Sequence, residues 1–252
     1  MTKVALITGG QRGIGLGIAQ ALKEADFRLA IAAELPPDSD EVKGALNALS
    51  PVASYYRHDI RDADAAPELL DAIEADLGPL TSFVSNAGVA APVRGDVLDL
   101  QPGNFDFVHE VNLKGAFFLA QEVARRMVGG ASDHHRAMVF ITSVSATLVS
   151  VERAEYCISK AGAAMMAQLF AARLASEGID VFDVRPGIVA TDMTAAVTEK
   201  YSKQIEEGLV PARRWGVPDD IGRTVRALVE GHLPFSNGAV VPVDGGLGIP
   251  RL

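Results

Sequence analysis

A tyrosine and a lysine four residues apart, in Tyr156-Cys157-Ile158-Ser159-Lys160, form the pair in this chain best suited to moving a proton. On a helix, residues at i and i+4 share a face, so the ammonium reaches the side of the phenol. A neighbouring cation favours phenolate over phenol, as an acid/base tyrosine requires. Taken alone, such a pair is more often two solvated groups on an exposed helix face. Ser143, thirteen residues earlier at the end of a predicted strand, shifts the balance, because its hydroxyl can hold a substrate oxygen beside Tyr156.

A second constellation lies near the start. The first apolar run leads straight into Thr8-Gly9-Gly10-Gln11-Arg12-Gly13-Ile14-Gly15, and a helical pattern begins at once. Glycines allow a tight turn and let the backbone approach a pyrophosphate, while the helix N-terminus presents free N–H groups to it. A glycine cluster alone is as often a plain turn. Its place between the first strand and the first helix argues for phosphate binding. Glu34 ends the second apolar run, about 20 residues past the loop, where a carboxylate accepts hydrogen bonds from both ribose hydroxyls of NAD and repels a 2′-phosphate. Arg12 points the other way, since a guanidinium pairs with that phosphate. NAD(H) is favoured and NADP(H) stays open, as does a merely solvated Glu34.

The elements that must position these groups alternate. Short β-branched runs at 4–8, 28–33, 52–57, 81–85, 138–142, 180–184 and 239–243 predict strands. Amphipathic stretches at 14–25, 40–49, 66–75, 105–127, 155–176 and 218–230 predict helices. Strands that are apolar throughout imply a parallel sheet covered on both faces. The expectation is an α/β doubly wound parallel sheet of the Rossmann type, with about seven strands and a single domain over 1–252. The loops at 35–39, 90–96 and 129–136 are too short to divide it. Ligands of such sheets bind at the carboxyl ends of the strands, where strand order reverses.

The TGxxxGxG spacing of the loop and the YxxxK pair are where the chain resembles the classical short-chain dehydrogenase/reductase family. Further segments extend the resemblance over nearly the whole chain. Ser85-Asn86-Ala87-Gly88 is similar to the family's NNAG element, with serine for the first asparagine. The resemblance implies that Gly9, Gln11, Arg12, Gly13, Ile14 and Gly15 bind the dinucleotide, with Asn86, Ala87 and Gly88 lining it. It also implies that Asp59 and Ile60 lie near the adenine, although Asp59 reads equally well as a helix-capping residue. Ser143 matches the family's serine-to-tyrosine spacing better than Ser145, which would then sit nearer the substrate. Asn112, in Val111-Asn112-Leu113-Lys114-Gly115, takes the fourth catalytic position, holding a water that links Lys160 to solvent; a satisfied structural amide is the alternative. Pro186, Gly187, Ile188 and Thr191 would meet the nicotinamide, alongside Tyr156 and Lys160. A substrate lid is expected over about 190–215, with Met193, Val197 and Trp215 as pocket walls, Trp215 reading equally as packing. Val243-Asp244-Gly245-Gly246 is a further family-like element.

The resemblance is closest to members labelled 3-oxoacyl-(acyl-carrier-protein) reductases. It implies hydride transfer to a small carbonyl or from a secondary alcohol, with a sugar or polyol as an equal candidate. A dinucleotide sensor without chemistry is disfavoured because the full residue set is present. An acyl carrier protein is acidic, so docking it would need a local basic patch, for which Arg125, Arg126 and Arg173 are available. Alanine-rich helices at 105–127 and 155–176 suggest a homo-oligomer, dimer or tetramer, as in the family.

Composition excludes other classes. The chain has 252 residues, 48% of them hydrophobic and 22% charged, enough for a sizeable core. Its formal charge of -9 argues against nucleic acid as the main partner. No apolar run approaches the roughly 18 residues that cross a bilayer, and the run at 4–7 is too short for a secretory signal. One cysteine, Cys157, allows no internal disulfide, which suits a reducing cytoplasm; packing explains it better than redox sensing. His58, His109, His134, His135 and His232 show no metal spacing, so no metal site is expected and a metal-dependent alcohol dehydrogenase is disfavoured.

Overall fold

Apolar residues in the strands alternate between two cores, one on each face of a sheet. In β1 (Val4–Thr8), Leu6 joins one core and Ile7 the other. A computed structural model describes residues 2–130 and 132–251; of the loop expected at 129–136, Ala131 lies outside the described residues. After β1 come α1 (Gly13–Lys23), β2 (Arg28–Ala33), α2 (Asp40–Leu49), β3 (Ala53–Arg57), α3 (Ala66–Leu77) and β4 (Ser82–Ser85). Then follow α4 (Pro102–His109), α5 (Ala116–Gly129), β5 (Arg136–Ile141) and α6 (Ala154–Leu174). The chain closes with β6 (Ile179–Pro186), α7 (Thr198–Glu206), α8 (Pro218–Val229) and β7 (Val240–Val243).

All seven strands form one parallel sheet in the order β3-β2-β1-β4-β5-β6-β7, the doubly wound arrangement expected. One face packs Phe83, Met138 and Phe140 against Leu70, Leu119 and Val123. The other packs Val84 and Val139 against Ile18 and Leu22 of α1 and Ile221 and Val225 of α8. Helices α1 and α8 meet almost backbone to backbone: a Cβ on Gly17 would lie 2.5 Å from the Pro218 side chain, and one on Gly222 2.5 Å from the Gly17 carbonyl oxygen.

The largest departure from expectation is the helix placed at 105–127. It begins earlier, at Pro102, whose fixed φ and missing N–H suit a first turn. It is then interrupted by a π-helical turn at Glu110–Gly115 before α5 resumes. A Cβ on Gly115 would stand 2.2 Å from the Ile60 carbonyl oxygen, so glycine lets this turn touch the segment after β3. Helix α6 ends at Leu174, and Gly178 turns the chain in the left-handed region at φ 66. Helix α7 lies within the stretch read only as a lid. β5 and β6 start earlier than predicted because Arg136 pairs with Ile179.

Candidate active site

Strand order reverses between β1 and β4, and a cleft of about 740 Å³ opens there. The two strand ends are stapled together. Thr8 Oγ1 accepts from Asn86 N at 3.0 Å and Ala87 N at 2.9 Å, and Asn86 Nδ2 donates to the carbonyl oxygens of Thr8 and Gly9 at 2.9 and 3.2 Å. Gly9 and Gly13 hold φ of +66° and +54°, which side chains rarely adopt. A Cβ on Gly15 would lie 2.1 Å from the Gly9 carbonyl oxygen. Gly9, Gln11, Arg12, Gly13, Ile14 and Gly15 all line the cleft. No side chain caps α1, so its first N–H groups stay open to an anion.

At one end lie Glu34, Asp59 and Ile60. Glu34 is exposed and takes part in no ion pair among the described residues, whereas Asp59 is gripped by Arg61 through Nη2 at 2.6 Å and Nε at 3.0 Å. Arg61 N also donates to Asp59 Oδ1 in a local turn, while the helical segment that follows is capped by Asp62, which accepts from Ala65 N, so Asp59 is not the helix cap. The Arg61 hydrogen bond holds the Asp59 pKa below the ordinary aspartate range. The Tyr55 hydroxyl sits between the carbonyl oxygens of Ala33 and Leu35, at 2.9 and 2.6 Å, and so brackets Glu34. Burial, then the Glu34 charge, push its pKa up to about 12. His58 is buried, and desolvation lowers its pKa against the opposing pull of Asp62 and Asp59.

Ser143 and Ser145, after β5, and Tyr156 and Lys160, on α6, line the cleft as well. Lys160, 7% exposed, donates from Nζ to the Ile141 carbonyl oxygen at 3.0 Å and stands 5.7 Å from the centre of the Tyr156 ring. Ser143 Oγ accepts from Ser145 N at 3.0 Å, which fixes the acceptor side of that hydroxyl. Gly88 is close by: a Cβ there would approach Asn112 Oδ1 to 3.2 Å and Lys160 Nζ to 3.7 Å. Pro186, Gly187, Ile188, Thr191 and Met193 complete the cleft, with Ala87 and Gly88. Gly187 N donates to the Val243 carbonyl oxygen, and Asp244 accepts from Gly246 N and Gly248 N, so the Asp-Gly-Gly turn braces this segment.

At three places the structure bears on readings that the sequence leaves open. Asn112 does not line the cleft. It is 3% exposed, and its amide is taken up by Val89 N at 2.8 Å, Val89 O at 3.0 Å and Ser159 Oγ at 3.2 Å. Its side chain therefore has no spare donor to hold a relay water. Trp215 lies outside the cleft, donating to Ser202 Oγ at 3.1 Å and packing edge-on to Tyr201, whereas Val197 and Tyr201 do line it. Arg125, Arg126 and Arg173 form no free basic patch: they pair with Glu122, with Asp71, Glu74 and Glu122, and with Glu177.

Cys157 is half-buried against the Leu148–Ser150 backbone. Among the described residues no cluster of His, Cys, Asp or Glu could hold a metal, and no helix is long and apolar enough to cross a membrane. Arg94 and Arg153 are among the cleft residues that the sequence did not single out. Arg153 had a signal, its i, i+3 spacing to Tyr156. Arg94, in a loop after β4, had none.

Fold and crevice together define a dinucleotide-dependent oxidoreductase. A family model described as enoyl-(acyl carrier protein) reductase matches residues 9–248, and the chain belongs to the short-chain dehydrogenase/reductase family. It is similar to the 3-oxoacyl-[acyl-carrier-protein] reductase MabA of Mycobacterium tuberculosis, 34% identical over 249 residues that cover 99% of this chain and 94% of that protein. It is also similar to a 2-dehydro-3-deoxy-D-gluconate 5-dehydrogenase of Pseudoalteromonas atlantica, 32% identical over 248 residues, 97% of this chain and 95% of the relative. Among solved structures, a 3-oxoacyl-[acyl-carrier protein] reductase from Brucella melitensis in complex with NAD is 42% identical with a TM-score of 0.95, covering 100% of this chain and 99% of that one.

Proposed function

We propose that this oxidoreductase interconverts a small carbonyl compound and its secondary alcohol with NAD as the preferred dinucleotide, using Tyr156 as acid/base. The observation that carries it is that Tyr156, Lys160 and Ser143 all line the crevice, with Lys160 Nζ 5.7 Å from the centre of the Tyr156 ring. The residues present fit a dinucleotide: the glycine cradle leaves no room for a side chain, and Gln11 Oε1 and His58 Nε2, both on crevice-lining residues, are buried with no hydrogen-bond partner among the described residues. When bound, that group supplies or accepts a hydride at its nicotinamide ring.

The chain's own residues do the rest. In the reducing direction Ser143 donates to the substrate oxygen, and Tyr156 gives its phenolic proton to that oxygen as the alcohol forms. Lys160 stabilises the phenolate left behind and binds the nicotinamide ribose. Asn112 acts indirectly, holding Val89 and Ser159 in place around Lys160. Ile188 and Thr191 orient the nicotinamide, Ser145 and Met193 contact substrate, and the segment 190–215 closes over them.

NAD is preferred because Glu34 is the carboxylate at that end of the crevice left free to accept from ribose hydroxyls, Asp59 being held by Arg61. Titrating both nucleotides tests this, and tight NADPH binding with feeble NADH binding would overturn it. Exposed Ile158, Met165 and Leu169 on α6 and Phe118 on α5 support a homo-oligomer, dimer or tetramer. The chain is read as one catalytic domain working in the cytoplasm.

For the acid/base role the test is Tyr156→Phe. Turnover on a substrate of the wild-type protein should fall about 10²–10⁴-fold while NAD still binds. Near-normal turnover removes Tyr156 from the mechanism.

A further inference from the structure

Several arginines elsewhere in the molecule meet carboxylates, Arg61 with Asp59, Arg126 with Asp71, Arg185 with the buried Asp183 and Arg214 with Asp220, while others such as Arg28, Arg136 and Arg251 donate to backbone carbonyl oxygens. In a chain of net charge -9, acidic partners are plentiful. Arg153 and Arg94 line the catalytic cleft and meet no carboxylate among the described residues. Arg153 is half-buried at the start of α6, with its guanidinium carbon 5.4 Å from the centre of the Tyr156 ring. Its Nε reaches Ser150 Oγ at 3.4 Å, and among the described residues its terminal nitrogens have no hydrogen-bond partner. Arg94 is exposed and makes no side-chain hydrogen bond or ion pair among the described residues. The two are neighbours, because Gly95 N donates to the Glu152 carbonyl oxygen at 3.3 Å, one residue from each.

A partly desolvated guanidinium without a counter-charge is costly, and its planar pair of donors matches the two oxygens of a carboxylate. Asp192, the carboxylate on the Thr191 side of the cleft, is exposed and pairs with neither arginine. Resting on the reading of Tyr156 as acid/base, we infer that the substrate is a small hydroxy or oxo acid whose carboxylate is held by Arg153, with Arg94 at the rim. The seat lies beside the phenol, so the carboxylate belongs to the same small molecule as the reacting carbon. A neutral polyol leaves Arg153 unpaired. So does an acyl thioester, which carries no charge next to its oxo group.

The test uses pairs of compounds differing in the charge, 3-hydroxybutyrate with its methyl ester and gluconate with sorbitol. Each is titrated into the complex of the full chain with NAD, and each is assayed for oxidation. At least one acid is expected to bind tenfold or more tightly than its neutral partner. That ratio should collapse towards one in Arg153→Gln and recover substantially in Arg153→Lys, with a smaller loss in Arg94→Gln. Comparison within each variant separates recognition of charge from general damage, and Arg94→Gln serves if Arg153→Gln does not fold. The inference is overturned if neither acid binds, if the neutral partners bind as well as the acids, or if the acid advantage survives both glutamine variants. Arginine-dependent binding without turnover would instead sink the Tyr156 chemistry and leave this site standing. Turnover confined to the neutral compounds would do the reverse.

Discussion

Asn112 and Val89 exchange a pair of hydrogen bonds, Val89 N to Oδ1 at 2.8 Å and Nδ2 to the Val89 carbonyl oxygen at 3.0 Å. A side-chain amide thus pairs with the segment after β4 as a neighbouring strand would. The π-helical turn at Glu110–Gly115 brings it there. Removing it in Asn112→Ala leaves both Val89 groups without partners and should cost about 1–3 kcal/mol of stability. Asn112→Asp keeps the acceptor but sets an oxygen against the Val89 carbonyl, so it too should be destabilised. Denaturant melts check both variants, and wild-type stability in Asn112→Asp would show that the exchange contributes nothing.

The second prediction concerns Glu34. Its carboxylate forms no ion pair among the described residues, and Tyr55 brackets its backbone. Glu34→Gln removes the repulsion of a 2′-phosphate and weakens the acceptors for ribose hydroxyls. NAD affinity should fall by about tenfold, the worth of one charged hydrogen bond, while NADP affinity rises. Fluorescence titration of the two reduced nucleotides gives both numbers. An unchanged ratio would return Glu34 to the role of a solvated loop residue.

Glycine positions provide a contrast. A methyl group at Gly15 would meet the Gly9 carbonyl oxygen at 2.1 Å and Asn86 Nδ2 at 2.6 Å, so Gly15→Ala must open the phosphate loop. NAD affinity should drop by more than tenfold. Gly44 in α2 has nothing within 4 Å of its added carbon, and Gly44→Ala should raise stability by about 0.5–1 kcal/mol without touching affinity. Calorimetric titration and thermal melts on both variants separate the two effects.

His58 imposes a pH dependence. Burial, its largest influence, lowers the folded-state pKa below the ordinary imidazole value that applies in the unfolded chain. Between those two values the unfolded state binds more protons, so stability falls as pH drops through the ordinary histidine pKa and goes on falling to the lower folded value. Above the ordinary value His58 contributes no slope. His58→Gln should flatten the acid side of a stability–pH curve over that window. A curve of the same slope in the variant would assign the acid sensitivity to other groups.

Much of the site was legible because it depends on local rules. Tyr156 and Lys160 share a helix face by their spacing, and Gly9, Gly13 and Gly15 announce a loop that only glycine tolerates. Strands that are apolar on both faces identify a covered parallel sheet. Boundaries drifted where pairing partners decided them, as at Arg136 opposite Ile179. Helix α7, mostly polar, carried too few apolar residues to be seen.

Local order therefore determined which residues bear chemistry and which side of each element is buried. What only the tertiary structure decided was pairing at a distance. β4 lies beside β1, so Asn86 ties the phosphate loop. Arg61 claims Asp59 and leaves Glu34 without an ion pair, Val89 occupies Asn112, and Arg153 lies over the Tyr156 ring with no carboxylate partner among the described residues. Burial and helix or strand period are written into runs of neighbouring residues. Which charge meets which partner depends on segments far apart in the chain, and only the closed sheet brings those together.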